Sequence, residues 1–165
     1  MENSDFKILI VDDHASNIQA LVGVLSEQGY SLKYAENGTE AVQLVKSEDF
    51  DLILLDIMMP IMDGYEVCRN IQEDEKSKDI PIIFLTARAD IESIKKAFRV
   101  GGLDYINKPF NIDELLARVK THLELKTSKD HLKKVNEWLE MKVAERTKEL
   151  KNANEKLLEL DTAKT

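Results

Sequence analysis

The sequence contains one cysteine, Cys68, among 165 residues. No disulfide can form within the chain, and a reducing compartment, the cytoplasm, is expected. Nowhere does it approach the roughly 18 uninterrupted apolar residues that a membrane-spanning helix needs, so no membrane insertion is expected. The first residues, Met1 to Lys7, lack a basic flank followed by an apolar run, and no export signal is expected there. Basic charge is in deficit: 23 Lys and Arg stand against 31 Asp and Glu, a formal net charge of -8. Such a surface repels phosphate backbones, which argues against nucleic acid as a partner. Proline occurs three times and glycine six times, all of them between Gly23 and Pro109. The stretch from Phe110 to Thr165 has neither helix breaker and reads as one helical segment.

What is present sorts into two parts. With 43% hydrophobic residues the chain can bury a core. Its length suits one domain and a remainder. Residues 1–125 carry 13 basic and 23 acidic side chains, whereas 126–165 carry 10 and 8. An acidic globule is therefore expected over 1–125, followed by a nearly neutral, charge-rich helix over 126–165.

Within the globule, short apolar runs predict strands at Phe6 to Val11, Ser31 to Ala35, Asp51 to Leu55, Pro81 to Thr86 and Asp104 to Ile106. Helix-period segments lie between them, with Ile18, Leu21, Val22 and Leu25 at three- and four-residue spacing, then Ala41, Leu44 and Val45, Val67 and Ile71, and Ile91, Ile94 and Phe98. The first and third runs, Ile-Leu-Ile-Val and Leu-Ile-Leu-Leu, are apolar on both faces, as central parallel strands covered by helices must be. The expected fold is α/β, a doubly wound five-stranded parallel sheet, with an extended C-terminal coiled-coil helix. In such sheets the reactive side chains gather at the carboxyl ends of the strands.

Those ends carry Asp12-Asp13, Asp56, Thr86-Ala87 and Lys108-Pro109. Three carboxylates brought together resist full ionisation unless a cation joins them. A hard, oxygen-seeking ion suits the set, and magnesium suits it better than calcium because it accepts few carboxylates and keeps waters or phosphate oxygens as its other ligands.

Together, Asp12-Asp13, Asp56 in Asp-Ile-Met-Met-Pro-Ile-Met-Asp-Gly, Thr86-Ala87 and Lys108-Pro109-Phe110 resemble the receiver domain of two-component response regulators, over about residues 5 to 125. The resemblance implies a flavodoxin-like strand order of 2-1-3-4-5 and a cis bond at Lys108-Pro109. It implies that Asp56 accepts a phosphoryl group from a histidine kinase or phosphotransfer protein. Magnesium would be held by Asp13, Asp56 and the carbonyl of Met58, with Asp12 acting through water. Thr86, Lys108 and the Ala87 amide would hold phosphoryl oxygens, and Thr86 would couple to inward rotation of Tyr105, altering the face of helix four, strand five and helix five. On this reading the chain is a regulatory module and not itself an enzyme. A carboxylate attacks phosphorus only when charge on the phosphoryl oxygens is neutralised, which agrees with those roles.

Around this set, Asp63-Gly64 is expected to make a turn and cap the third helix, and Cys68 to be a small packing residue. His14, His122 and His131 are too scattered for a metal cluster and are expected at the surface, with His14 near enough to the acidic pocket to tune metal access. Met58 and Arg88 flank the path by which water would reach an acyl phosphate.

From Leu125, residues suited to a seam run Ser128, Leu132, Val135, Leu139, Val143, Arg146, Leu150, Ala153, Leu157 and Leu160. Their spacings alternate three and four, except for two successive fours around Leu139. This is a coiled-coil seam with one stutter. A helix from Ile112 to Thr165 would extend about 80 Å at 1.5 Å per residue, and its leucines call for a partner copy in a parallel homodimer through residues 125–165. Val143 to Leu150 with Asn154 to Leu157 resembles the signalling helices that join sensory modules to output domains. Leu160 to Thr165 resembles the lead-in to a histidine kinase dimerisation helix. The output expected of a longer protein is a kinase core or another enzyme, such as one acting on a cyclic dinucleotide. A magnesium-dependent aspartyl phosphatase would carry Asp-x-Asp at the first strand end, where the aspartates here are adjacent. A flavin or nucleotide binder would carry a glycine-rich or hydroxyl-rich phosphate loop there.

Overall fold

A computed structural model describes residues 2–87 and 90–163. The chain divides into two compact units, Met1–Lys126 and Thr127–Thr165. A short 3-10 turn, Asn3–Asp5, precedes β1 (Lys7–Val11), α1 (Ala15–Glu27), β2 (Ser31–Ala35), α2 (Gly38–Ser47), β3 (Leu52–Asp56), α3 (Gly64–Glu73), β4 (Ile82–Thr86), α4 (Ile91–Arg99), β5 (Asp104–Asn107) and α5 (Ile112–Ala163). The strands form one sheet in the order β2-β1-β3-β4-β5, and all its pairings are parallel. This is the flavodoxin-like α/β fold the sequence predicts, with the long C-terminal helix in place.

The period of two along each strand divides the core into two layers. Leu9, Val11, Ile53, Leu55, Ile82 and Phe84 point to one face, where Ala41, Val45, Val67, Cys68, Ile71 and Ala97 of α2, α3 and α4 cover them. Ile8, Ile10, Leu52, Leu54, Ile83, Leu85 and Ile106 point to the other, against Ile18, Leu21 and Leu25 of α1 and Leu115, Val119 and Leu123 of α5. Burying each Val, Leu, Ile or Phe of these layers is worth about 1.5–3 kcal/mol, and a one-residue slip of any central strand would exchange its two layers.

Among the strand boundaries that differ from the apolar runs, those of β3 and β5 bear on chemistry. β3 begins at Leu52 and ends on Asp56 itself, since Asp56 keeps register with Leu85 while Asp51 turns its carboxylate to the Lys7 amide at 2.8 Å. β5 continues to Asn107, opposite Thr86. β1 and β4 each start one residue later than the runs suggest.

Helix starts follow simple chemistry. Asn37, Asp63, Asp90 and Asn111 each accept the amide of the residue three positions on, which satisfies a free N–H of the first turn. Gly64 is fixed by close approach: a Cβ there would lie 2.3 Å from the Asp56 carbonyl oxygen and 2.8 Å from Ile57 Cα. The Asp63-Gly64 pair therefore caps α3 and lets it start against the end of β3. Cys68 is buried, burial pushes its thiol up to about 12, and its Sγ donates to the Val100 carbonyl.

In the second unit, every side chain from Ser128 to Thr162 is exposed. The seam leucines Leu132, Leu139, Leu150, Leu157 and Leu160 are among the exposed large hydrophobics. Among the described residues, no helix is long and apolar enough to cross a membrane.

Gly64→Ala is expected to cost about 1–3 kcal/mol through overpacking against backbone. Gly23→Ala, in α1 with nothing within 4 Å of the added Cβ, should be neutral or stabilising by up to about 1 kcal/mol. Urea unfolding of both variants checks this, and equal midpoints for the two would contradict it.

Candidate functional site

The carboxyl ends of β1 and β3 lie side by side where the strand order reverses. Asp12, the residue after β1, is completely buried. Its Oδ1 accepts the His14 amide at 2.9 Å, and its Oδ2 accepts Lys108 Nζ at 3.0 Å. Asp56, 2% exposed, accepts the Met58 amide at 3.3 Å and lies 3.2 Å from the same Lys108 Nζ through the same oxygen, Oδ1. Lys108 reaches this position from beyond β5, its backbone N–H bonded to the Thr86 carbonyl at 2.8 Å. The Lys108-Pro109 bond is cis. Residues 96 positions apart thus share one ion pair.

Asp13 adds a third carboxylate, with an oxygen that is left over. Asp13 Oδ1 is buried and accepts no hydrogen bond from the described residues. His14 Nδ1 lies 3.0 Å from that oxygen and 3.5 Å from Asp12 Oδ1, but the nearer contact lacks hydrogen-bond geometry. One ligand atom each from Asp12, Asp13, His14 and Asp56 lies within 4.8 Å of the others. A buried anionic oxygen without a donor, beside two further carboxylates, fits a divalent cation.

Electrostatics confirms the crowding. Burial pushes the Asp56 carboxyl up to about 6 from its ordinary 3.8, the charge of Asp12 pushes the same way, and Lys108 and the Met58 amide offset part of the rise. One ammonium does not balance the carboxylates around it.

The other residues expected at the site sit as follows. Thr86 is the buried last residue of β4, one position beyond the partner of Asp56. Ala87 is exposed just after it, and so is Met58. Tyr105 is half-buried on β5 with its ring edge-on to Phe98, centroids 6.3 Å apart. Arg88 lies outside the described residues, as do Lys164 and Thr165 at the end of the tail. Ile61, in the loop after β3, holds a left-handed φ of 69°, a strained backbone for a β-branched residue. That loop carries Met58 and leads to Gly64.

Of the histidines, one departs from the surface expectation. His14 is exposed as expected and stands beside the acidic cluster. His122 is largely buried and bonds Asp104 Oδ2 at 3.0 Å, while Arg118 holds the other Asp104 oxygen at 2.6 Å. These bonds hold Asp104 below the ordinary carboxylate range against its burial. The four-residue spacing of Arg118 and His122 puts them on one helix face, but nothing in the sequence says that the face meets Asp104.

Residues 8–120 match the family model of the response regulator receiver domain. The chain belongs to the response regulator receiver family. A probable cyclic di-GMP phosphodiesterase of Vibrio cholerae is 42% identical over 147 residues, 89% of this chain and 33% of that protein. The transcriptional regulatory protein YvrH of Bacillus subtilis is 44% identical over 125 residues, 75% of this chain and 51% of that protein. The chain thus spans about a third of one such relative and about half of the other. Among solved structures, the receiver domain of an HD domain-containing protein from Pseudomonas fluorescens superposes with a TM-score of 0.71 at 31% identity, covering 76% of this chain and 92% of that one. The receiver domain of a sensor histidine kinase from Pseudomonas aeruginosa, solved with a magnesium ion in its active site cleft, gives 0.68 at 31% identity, covering 72% and 98%. Receiver domains are regulatory modules of two-component signalling.

The raised Asp56 carboxyl has a stability consequence in metal-free buffer. Its folded value of about 6 exceeds its ordinary 3.8, so its favourable contribution is full below the ordinary value and lost as pH rises through the folded one. Asp56→Asn should therefore raise the melting temperature at about pH 7.5 in chelator, with a gain that shrinks toward pH 4 to 5. A gain that grows on acidification would contradict this assignment.

Proposed function

We propose that Asp56 is the phosphoacceptor of this receiver domain and that a histidine kinase or phosphotransfer protein supplies the phosphoryl group. The observation that carries the reading is the buried Asp56 at the end of a central strand, 3.2 Å from Lys108 and within the Asp12, Asp13 and His14 cluster. An Asp56 carboxylate oxygen attacks phosphorus, the phosphorus–nitrogen bond to the donor imidazole breaks, and an acyl phosphate forms. Above about pH 6 the carboxylate is mostly in its nucleophilic, ionised form.

Lys108 already bridges Asp12 and Asp56, so its ammonium can transfer its pairing to a phosphoryl oxygen without leaving the pocket. Thr86 and the Ala87 amide are the further phosphate-binding groups. Asp13, Asp56 and the Met58 carbonyl would hold magnesium, with Asp12 acting through water; the ion, when bound, supplies positive charge against the phosphoryl oxygens. The modification adds about 1.5 to 2 negative charges. Thr86 turning toward them leaves room for Tyr105 to move inward, so the surface of α4, β5 and the start of α5 carries the signal. The chain performs only its own phosphoryl transfer.

Residues 1–125 form the receiver and 126–165 a coiled-coil signalling helix that pairs in a parallel homodimer. The exposed leucine seam supports this pairing. The resemblance of the tail to a kinase lead-in favours a histidine kinase core as output. A cyclic-dinucleotide enzyme is the second reading, favoured by a 147-residue match to the probable phosphodiesterase, which is longer than the first unit alone. The unpaired Cys68 suits the cytoplasm.

Acetyl phosphate with magnesium should add one phosphoryl mass to the wild-type chain and none to Asp56→Asn. A full-yield adduct on the variant would move the acceptor elsewhere. Light scattering should give a dimer at micromolar concentration for the full chain and a monomer for a chain ending at Leu125, and Leu157→Cys should cross-link to itself if the helices run parallel. A monomeric full chain would overturn the coiled-coil assignment.

A further inference from the structure

The tail seam loses its alternation at one place, between Leu139 and Val143, and the only tryptophan of the chain, Trp138, stands there. Leu132, Val135 and Leu139 set a frame of threes and fours in which the next seam residue would be Lys142; the extra step carries the seam to Val143 instead. In a parallel, in-register pair, the residue just before a first core position lies beside the residue five places later on the other copy. In the frame of Leu132 and Leu139 those two flanking residues are Trp138 and Val143. Val143 therefore serves twice, as a flank of the frame that ends and as core of the frame that begins. Beyond the stutter the flanking pairs are Lys142 with Thr147, Glu149 with Asn154 and Lys156 with Asp161. The last is an opposite-charge pair and none joins like charges, which is charge complementarity to a second copy of this chain.

Flanking positions of a coiled coil ordinarily carry Glu or Lys, and an indole there has a different use. Trp138 is 53% exposed and Val143 64% exposed in the single helix, so both have apolar surface to bury. Lys142 Nζ stands over the Trp138 ring, 5.8 Å from its centroid, and 3.3 Å from Glu145 Oε2. The ring is thus in contact, one turn on, with the immediate neighbour of Val143. A stutter unwinds the supercoil locally, and the seam layer there needs a large side chain at its flank to exclude water. We propose that Trp138 of each copy packs on Val143 of the other, so that two equivalent clamps close the stutter. The inference rests on the parallel homodimer proposed above. Being isologous, the contact forms twice in a symmetric pair. It fixes the register of the two helices one turn before Arg146, where the seam itself is poorly suited to burial, and a rotation of the helices at the stutter opens it.

The test uses the full chain, in which indole emission reports on Trp138 alone. Emission and light scattering are followed together on dilution, and dimer dissociation constants are measured by sedimentation for wild type, Trp138→Ala, Val143→Ala, the double variant and Glu137→Ala. The dimer is expected to emit at shorter wavelength than the monomer and to be less quenched by acrylamide. Each single change at the clamp should weaken dimerisation, and the double variant should be weakened less than the product of the two effects, by about threefold or more. Glu137→Ala, off the seam and its flanks, should stay within about twofold of wild type. A dimer whose emission and quenching match the monomer's, single effects that multiply without coupling, or equal weakening by Glu137→Ala overturns the clamp and leaves the homodimer in place. A full chain that scatters as a monomer, or a Leu157→Cys chain that does not cross-link to itself, overturns the parallel homodimer and the clamp with it.

Discussion

Asp12 and Asp56 are withdrawn from water together, with one lysine between them. Burial of a charge is tolerated only when partners replace the lost solvent. Lys108 meets this need for both carboxylates at 3.0 and 3.2 Å, yet a single ammonium leaves the site net negative once Asp13 is counted. The high Asp56 carboxyl and the unbonded Asp13 oxygen are two signs of the same imbalance. The rest of the first unit holds that imbalance in place. Parallel strands put the aspartates at one edge, helices on both faces exclude water from the strands beneath, and Gly64 lets α3 begin against the Asp56 carbonyl.

Most of this architecture was legible because each element obeys a local rule. The two-sided apolar runs of β1 and β3 required cover on both faces, and the break-free stretch after Pro109 required a long helix. The strand-end residues were legible as a set through the spacing of Asp12-Asp13, Asp56, Thr86 and Lys108. Sequence did not show where β3 stops, because an aspartate ending an apolar run looks like the first residue of a loop. Only the register with Leu85 shows that Asp56 belongs to the ladder. Nor did it show that His14 turns toward Asp13 or that His122 turns toward Asp104, since side-chain direction depends on contacts between distant elements. His122 in particular read as a surface residue and is instead part of the Asp104 and Arg118 network.

The tail follows a different physical rule. The first unit completes its own core, but the described residues of the second bury none: its leucines are exposed in a single chain. Such a helix gains stability by pairing. In the proposed coiled coil, Arg146 at a seam position and the stutter near Leu139 would weaken pairing locally and give a place where rotation or register can change without unfolding the whole. The proposed switch would need such a soft element downstream for charge added at Asp56 to alter an output.

Unbalanced negative charge is the defining property of the pocket, and cation-dependent stability reads that imbalance directly. Thermal unfolding should be followed at about pH 7.5 while magnesium is titrated into the chelator-treated protein, with Asp13→Asn alongside. The melting temperature of wild type should climb with magnesium and level off on saturation, and that of Asp13→Asn should stay nearly flat. Equal shifts in both proteins, or none in wild type, would contradict the claim that the clustered carboxylates form an unfinished cation site.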